Sequence, residues 1–203
     1  MTMTTPQAVA AEPSAAEAVD RAIGLLARAE RPLIVLGKGA ASAEADDQIR
    51  SFVEATGIPY LPMSMAKGPL PDDHPQSAAA ARSLALARAD VVMLVGARLS
   101  WLVGQREAPG WSSGAVFIKA DIDATDVDSS QPIGAPLASA IGPLMTALAD
   151  RAKPGQIAAP AAWRAELDAR MEHNAGSMRD RPAAGPSIDM PLPRYRLSTG
   201  QAR

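Results

Sequence analysis

Residues 31–42 read RPLIVLGKGAAS and residues 90–98 read DVVMLVGAR. In each, an unbroken aliphatic run, Leu33–Leu36 and Val91–Val95, is closed by a glycine. A short run without polar alternation is what a strand needs when both of its faces are covered. Outward from these runs the pattern changes to helical spacing. Ser14 with Glu17 three residues later forms a capping-box pattern, and Val19, Ile23 and Leu26 follow at helical intervals to about Ala29. Residues 43–57 put Ile49, Phe52 and Val53 on one face and stop at Gly57, as helices commonly do. Residues 58–61 read as a second strand, 63–75 as a loop punctuated by Pro, Gly and Asp, and 77–89 as an alanine-rich helix. Further strands are expected over 116–121 and 135–138. Helices are expected from Gly142 to about Lys153 and over 161–178, the last with Trp163, Leu167 and Met171 on one face.

Apolar strands separated by helices imply crossovers that lie on the sheet faces. The fold class expected is therefore α/β, a Rossmann-like parallel sheet with helices on both faces. Residues 1–13, broken by Pro6 and Pro13, read as a disordered lead-in. Residues 14–155 read as a nucleotide-binding-like domain, 156–180 as a C-terminal helix and 181–203 as a disordered basic tail.

Composition narrows the chemistry. The 203 residues contain no cysteine, which excludes disulfides, thiolate metal sites and cysteine nucleophiles. The two histidines, His74 and His173, stand far apart with no second ligand at metal spacing, so no metal site is expected. Lys and Arg number 20 against 22 Asp and Glu, and this near-balance without a basic stripe argues against nucleic acid as a partner. No stretch approaches the roughly 20 apolar residues of a membrane span, and the first residues lack the features of a signal peptide. A soluble, cytoplasmic protein with no membrane partner is expected.

In parallel α/β sheets ligands gather outside the carboxyl ends of the strands. Three of those ends carry functional groups. After the first strand come Gly37, Lys38 and Gly39, where the glycines permit close backbone approach and the lysine supplies a positive charge. As a dinucleotide fingerprint this is incomplete, since Ser42 stands at the third glycine position. After the third strand, Arg98 brings a guanidinium to the same edge. At the end of the fourth comes Asp121-Ile122-Asp123, whose carboxylates offer acceptors for a ribose hydroxyl or an adenine amino group. Together they describe a crevice for an adenine nucleotide with cations for its phosphates. The plainer reading of the same residues is turn-forming glycines and surface ion pairs. His74, between Asp73 and Pro75, is expected to cap local backbone. Trp101 and Trp111 flank a loop and are read as interface residues, because tryptophan is enriched at such surfaces.

Four stretches resemble a known family. They are RPLIVLGKGAA ending at Ala41, GIPYLPMSMAKGPLPDDHPQS from Gly57 to Ser77, VGARLSWL from Val95 to Leu102, and DIDATDVDSSQPIGAPL from Asp121 to Leu137. They resemble the central domain of the oxalyl-CoA decarboxylases, and are similar to the related 2-hydroxyacyl-CoA lyases, from about Val19 to about Met178. The resemblance implies a thiamine diphosphate- and magnesium-dependent lyase family in which oxalyl-CoA is decarboxylated to formyl-CoA. It implies three domains, of which only the central one is represented, with catalytic residues on the other two. No Gly-Asp-Gly metal-binding segment occurs in the sequence, and no catalytic residue is assigned.

By the same resemblance the central domain holds ADP as an activator. Lys38 and Arg98 face its phosphates, Asp121 and Ile122 its ribose and adenine, and Ile141 packs on the adenine. Where the family has Gly-Asp before that isoleucine, this chain has Ser139 and Ala140, which removes one acceptor worth on the order of 1 kcal/mol. Arg82 resembles the edge of a coenzyme A site and would meet a phosphate. The expected function is thus a non-catalytic, ADP-binding central domain. Its expected partners are the family's other domains or a second copy, with a coenzyme A thioester as substrate of the complete enzyme. The alternatives are one subunit of a split thiamine diphosphate-dependent lyase, and a structural relic that binds no ligand.

Overall fold

The computed structural model describes residues 14–98, 111–112, 114–122, 133–152 and 155–179. The lead-in over 1–13, Trp101 with its loop, Asp123 and the tail beyond 180 lie outside the described residues. The elements run α1 (Ala15–Arg28), β1 (Pro32–Leu36), α2 (Lys38–Ser42), α3 (Asp46–Thr56), β2 (Tyr60–Pro62), α4 (Arg82–Arg88), β3 (Val91–Val95), β4 (Val116–Asp121), β5 (Ile133–Ala138), α5 (Ile141–Arg151) and α6 (Ala161–Arg179). Short 3-10 turns occupy Ser64–Ala66 and Ala79–Ala81. The strands form one parallel sheet in the order β2-β1-β3-β4-β5.

Strand alternation divides the core into two layers. Ile34, Leu36, Met93, Val95, Ile118, Ala120, Ala135 and Leu137 face one side, where α1, α3 and α5 close over them. Leu33, Val35, Val92, Leu94 and Phe117 face the other, beneath Ala85 of α4 and Trp163 and Leu167 of α6. Both faces are covered, which is why the runs in β1 and β3 carry no polar position.

Helix α1 begins as its sequence indicates. The Ser14 hydroxyl accepts from the Glu17 amide and the Glu17 carboxylate accepts from the Ser14 amide. The latter bond holds the Glu17 carboxyl below its ordinary pKa. Helix α6 is fastened at its start, where the buried Trp163 Nε1–H donates to the Pro32 carbonyl at 3.0 Å. Glu166, one turn on, lies 3.8 Å from Arg31 and 3.4 Å from Arg88.

The helix expected over residues 43–57 is α3, which starts at Asp46, buries Ile49, Phe52 and Val53 and ends at the left-handed Gly57. Before it the short α2 starts at Lys38 directly after the β1 end, where no helix was expected, and a break separates the two. Glu44 causes the break, since its φ of 50° is left-handed. The helix expected over 77–89 is α-helical only over Arg82–Arg88. Ala78 is pulled out of helical geometry by donating its N–H to the Tyr60 carbonyl at 2.9 Å, and Ser77 bridges to Tyr60.

Candidate functional site at the strand ends

The carboxyl ends of the strands lie in register. Leu36 pairs with Val95, Val95 with Ala120, and Ala120 with Leu137. The residues that follow, Gly37, Gly96 and Asp121, therefore stand side by side at one edge. With adjacent strands about 4.8 Å apart, the row from β1 to β5 spans about 14 Å. Strand order reverses between β1 and β3, since β2 lies on the far side of β1. A crevice opens at such a switch point because the connections leave in opposite directions.

Backbone packing at that point is tight and depends on glycine. Gly37 N–H donates to the Val95 carbonyl at 2.9 Å, Gly39 N–H to the Gly96 carbonyl at 2.9 Å, and Gly96 N–H to the Ala120 carbonyl at 2.8 Å. A Cβ on Gly37 would stand 2.7 Å from the Ala97 Cβ and one on Gly39 2.8 Å from the Gly96 Cα. Gly96 also holds a positive φ of 57°, and a Cβ there would strike α2. The glycines thus let the ends of β1 and β3 meet, rather than leaving their backbone open to a ligand. Because the Gly37 and Gly39 amides are already engaged, they are not phosphate donors, and positive charge at this edge comes from side chains.

Lys38 and Arg98 are exposed, at the ends of β1 and β3. Asp121 is half-buried at the end of β4, and Ile122 beyond it is 78% exposed. Arg98 and Asp121 are each engaged in polar or electrostatic contacts. Ile141, by contrast, is only 6% exposed and belongs to the core beneath α5. Of the two isoleucines only Ile122 presents open apolar surface. Ala140 occupies the N-cap of α5 and makes no side-chain capping bond, so the first amides of that helix lack a side-chain acceptor. Sequence reasoning missed Lys119, which is 3% exposed and engaged on the same strand face as Asp121. Its signal was a cation inside the otherwise apolar run of β4.

Arg82 lies apart from this row, at the start of α4. Its guanidinium touches the Met63 sulfur at 3.6 Å and lines a cavity of about 200 Å³ with Ser83, Arg170 and Asn174. A shallower hollow of about 450 Å³ continues between α4 and α6 past Arg88, Glu166 and His173. Both hollows are walled by helix surfaces, whereas the row is built from strand ends. His74 is structural, as expected. Its Nδ1 accepts from the Gln76 amide at 3.3 Å, its Nε2 faces Glu54 at 3.4 Å, and its ring packs edge-on against Tyr60. Burial raises the pKa of the Tyr60 hydroxyl, which donates to the Pro71 carbonyl. Trp111 is half-buried, packed edge-on against Phe117 with ring centroids 5.1 Å apart. Among the described residues no three metal-ligating side chains come together and no helix is long and apolar enough to cross a membrane.

Comparison with known proteins gives this arrangement a family. The model of the thiamine pyrophosphate enzyme central domain matches residues 19–148, from α1 into α5. The chain belongs to that family. This central domain is 50% identical over 165 residues to the oxalyl-CoA decarboxylase of Escherichia coli K12, covering 81% of the chain and 29% of that protein. It is 49% identical over 114 residues to a 2-hydroxyacyl-CoA lyase of Arabidopsis thaliana, covering 56% and 20%. The chain thus spans less than a third of the length of the curated relatives it matches. A thiamin diphosphate-dependent enzyme structure from Mycobacterium smegmatis superposes with a TM-score of 0.58 at 21% identity, over 74% of this chain and 30% of that one. At that identity the likeness concerns the fold alone.

Proposed function

We propose that this central domain binds an adenine nucleotide, ADP in the first instance, across its strand-end row, and that it supports rather than performs chemistry. The observation that carries the reading is the register that lines up Lys38, Arg98, Asp121 and Ile122 along one edge of the sheet. Lys38 and Arg98 meet the phosphates as charge-assisted donors. The Asp121 carboxylate accepts from a ribose hydroxyl. Ile122 packs on the adenine face, with Ile141 filling the floor below. Gly37, Gly39 and Gly96 act indirectly, by closing the β1–β3 junction so that the two cations lie side by side.

Thiamine diphosphate with magnesium belongs to whole enzymes of this family, and its site is assigned to the domains that this chain does not represent. The proposed role in a lyase acting on a coenzyme A thioester is therefore that of a partner to catalytic domains. Arg82, Arg170 and Asn174 around the smaller cavity supply a place for a phosphate of the thioester's nucleotide end.

Calorimetric titration with ADP, FAD, NAD and coenzyme A tests the reading. Heat with ADP, lost in Arg98→Ala and Asp121→Ala, is expected. A flat response to ADP at millimolar concentration would leave a ligand-free structural role. Incubation with oxalyl-CoA, thiamine diphosphate and magnesium is expected to give no formyl-CoA. Its production would overturn the non-catalytic assignment.

A further inference from the structure

One cation at the same edge has no part in the reading so far. Lys67 follows the Ser64–Ala66 turn at the end of β2, on the far side of β1 from the rest of the row. That turn is held in place. Met63 N–H donates to the Leu36 carbonyl at 2.9 Å, Ala66 is buried in the core, and the turn packs against α2, which carries Lys38. The Lys67 side chain is nevertheless exposed, and Gly68 after it has a positive φ of 116°. In strand order the segments that follow the carboxyl ends therefore carry Lys67 (beyond the turn after β2), Lys38 (after β1) and Arg98 (after β3), with Asp121 and Ile122 at the end of β4. Cations follow three adjacent ends, and a carboxylate with an open apolar surface occupies the next.

We propose that Lys67 is the outer phosphate contact of this crevice, so that the site selects nucleotides by the length of their phosphate chain. The proposal rests on the reading of the row as an adenine-nucleotide site. The charge order orients the ligand, with adenosine over β4 and phosphates running toward β1 and β2. A monophosphate lies within reach of Arg98 and Lys38. A longer chain carries its terminal charge toward β2, one strand spacing of about 4.8 Å farther on, a distance that a flexible lysine stem spans. Affinity then rises from AMP to ADP to ATP, and Lys67 accounts for the last step.

Calorimetry of the full chain with adenosine, AMP, ADP and ATP, magnesium-free and at low salt, reads this order. Lys67→Ala is expected to weaken ATP binding on the order of fivefold, in line with one exposed ionic contact, and to leave AMP unchanged. Lys67→Arg restores the preference, and raising the salt shrinks the difference. Thermal melting of the variants establishes that they fold as the parent does. If Lys67→Ala keeps the parent's AMP-to-ATP ratio, or if the parent binds AMP as tightly as ATP, the assignment of Lys67 is wrong and the nucleotide reading stands. If neither adenosine nor any of the nucleotides binds, the strand-end reading itself falls, and Lys67 with it.

Discussion

Gly96 combines a left-handed backbone with backbone neighbours from α2 on the side where a Cβ would lie. Alanine there incurs both the left-handed penalty and overpacking that no rotamer relieves. Gly96→Ala is expected to lower stability by more than about 2 kcal/mol, read as a shifted urea midpoint. Gly57 also has positive φ, but open space surrounds it, and its substitution carries only the backbone term. Ala140 points the other way. It caps α5 without a side-chain acceptor, so Ala140→Asp should add about 1 kcal/mol and also tighten ADP, if the restored carboxylate meets the adenosine. Glu17 links a cap to pH. Its carboxyl is lowered in the fold by the Ser14 amide, so its contribution is present above the unfolded value and is lost as pH falls through the folded one. The gap in melting temperature between the parent and Glu17→Gln should therefore be open at neutral pH and close on acidification, as followed by circular dichroism.

Among the elements, α6 depends most on a single residue. Trp163 is buried and its indole N–H holds the first residue of β1, whereas the second half of the helix is largely exposed. Trp163→Phe keeps most of the packing but removes the bond and leaves the Pro32 carbonyl without that donor, a loss of about 1–3 kcal/mol. Hydrogen exchange should speed up along the α6 amides before it does in β1 or β3. If α6 keeps its protection, the helix is held by something other than this anchor. Strands β1, β3 and β4 were legible because a doubly covered strand must be apolar throughout. The start of α2 was not, since Lys-Gly-Ala-Ala-Ser is a poor helix by propensity and coils only because its small residues fit against the end of β3. The alanine run before α4 misled for the opposite reason. Its propensity is helical, but the bonds from the Ala78 amide to the Tyr60 carbonyl and from the Tyr60 amide to the Gln76 carbonyl tie its first turn to β2 and hold it out of α-helix.

Across the whole molecule, the α/β class was readable from the alternation of runs and periods. The strand order was not, because a continuous apolar run does not encode which neighbour it pairs with. Order decides the site here, since it brings Arg98 beside Lys38 and sets Lys67 beyond both. Sequence alone did not show that Ile141 is buried in the core while Ile122 is exposed. The central claim is one of location, that an adenine nucleotide lies along the strand-end row. Amide chemical-shift mapping of the isotopically labelled chain during an ADP titration tests it most directly. Saturable shifts concentrated at residues 37–39, 96–98, 121–122 and 140–142 are expected. Shifts confined to the α4–α6 hollows, or none at millimolar ADP, would contradict it.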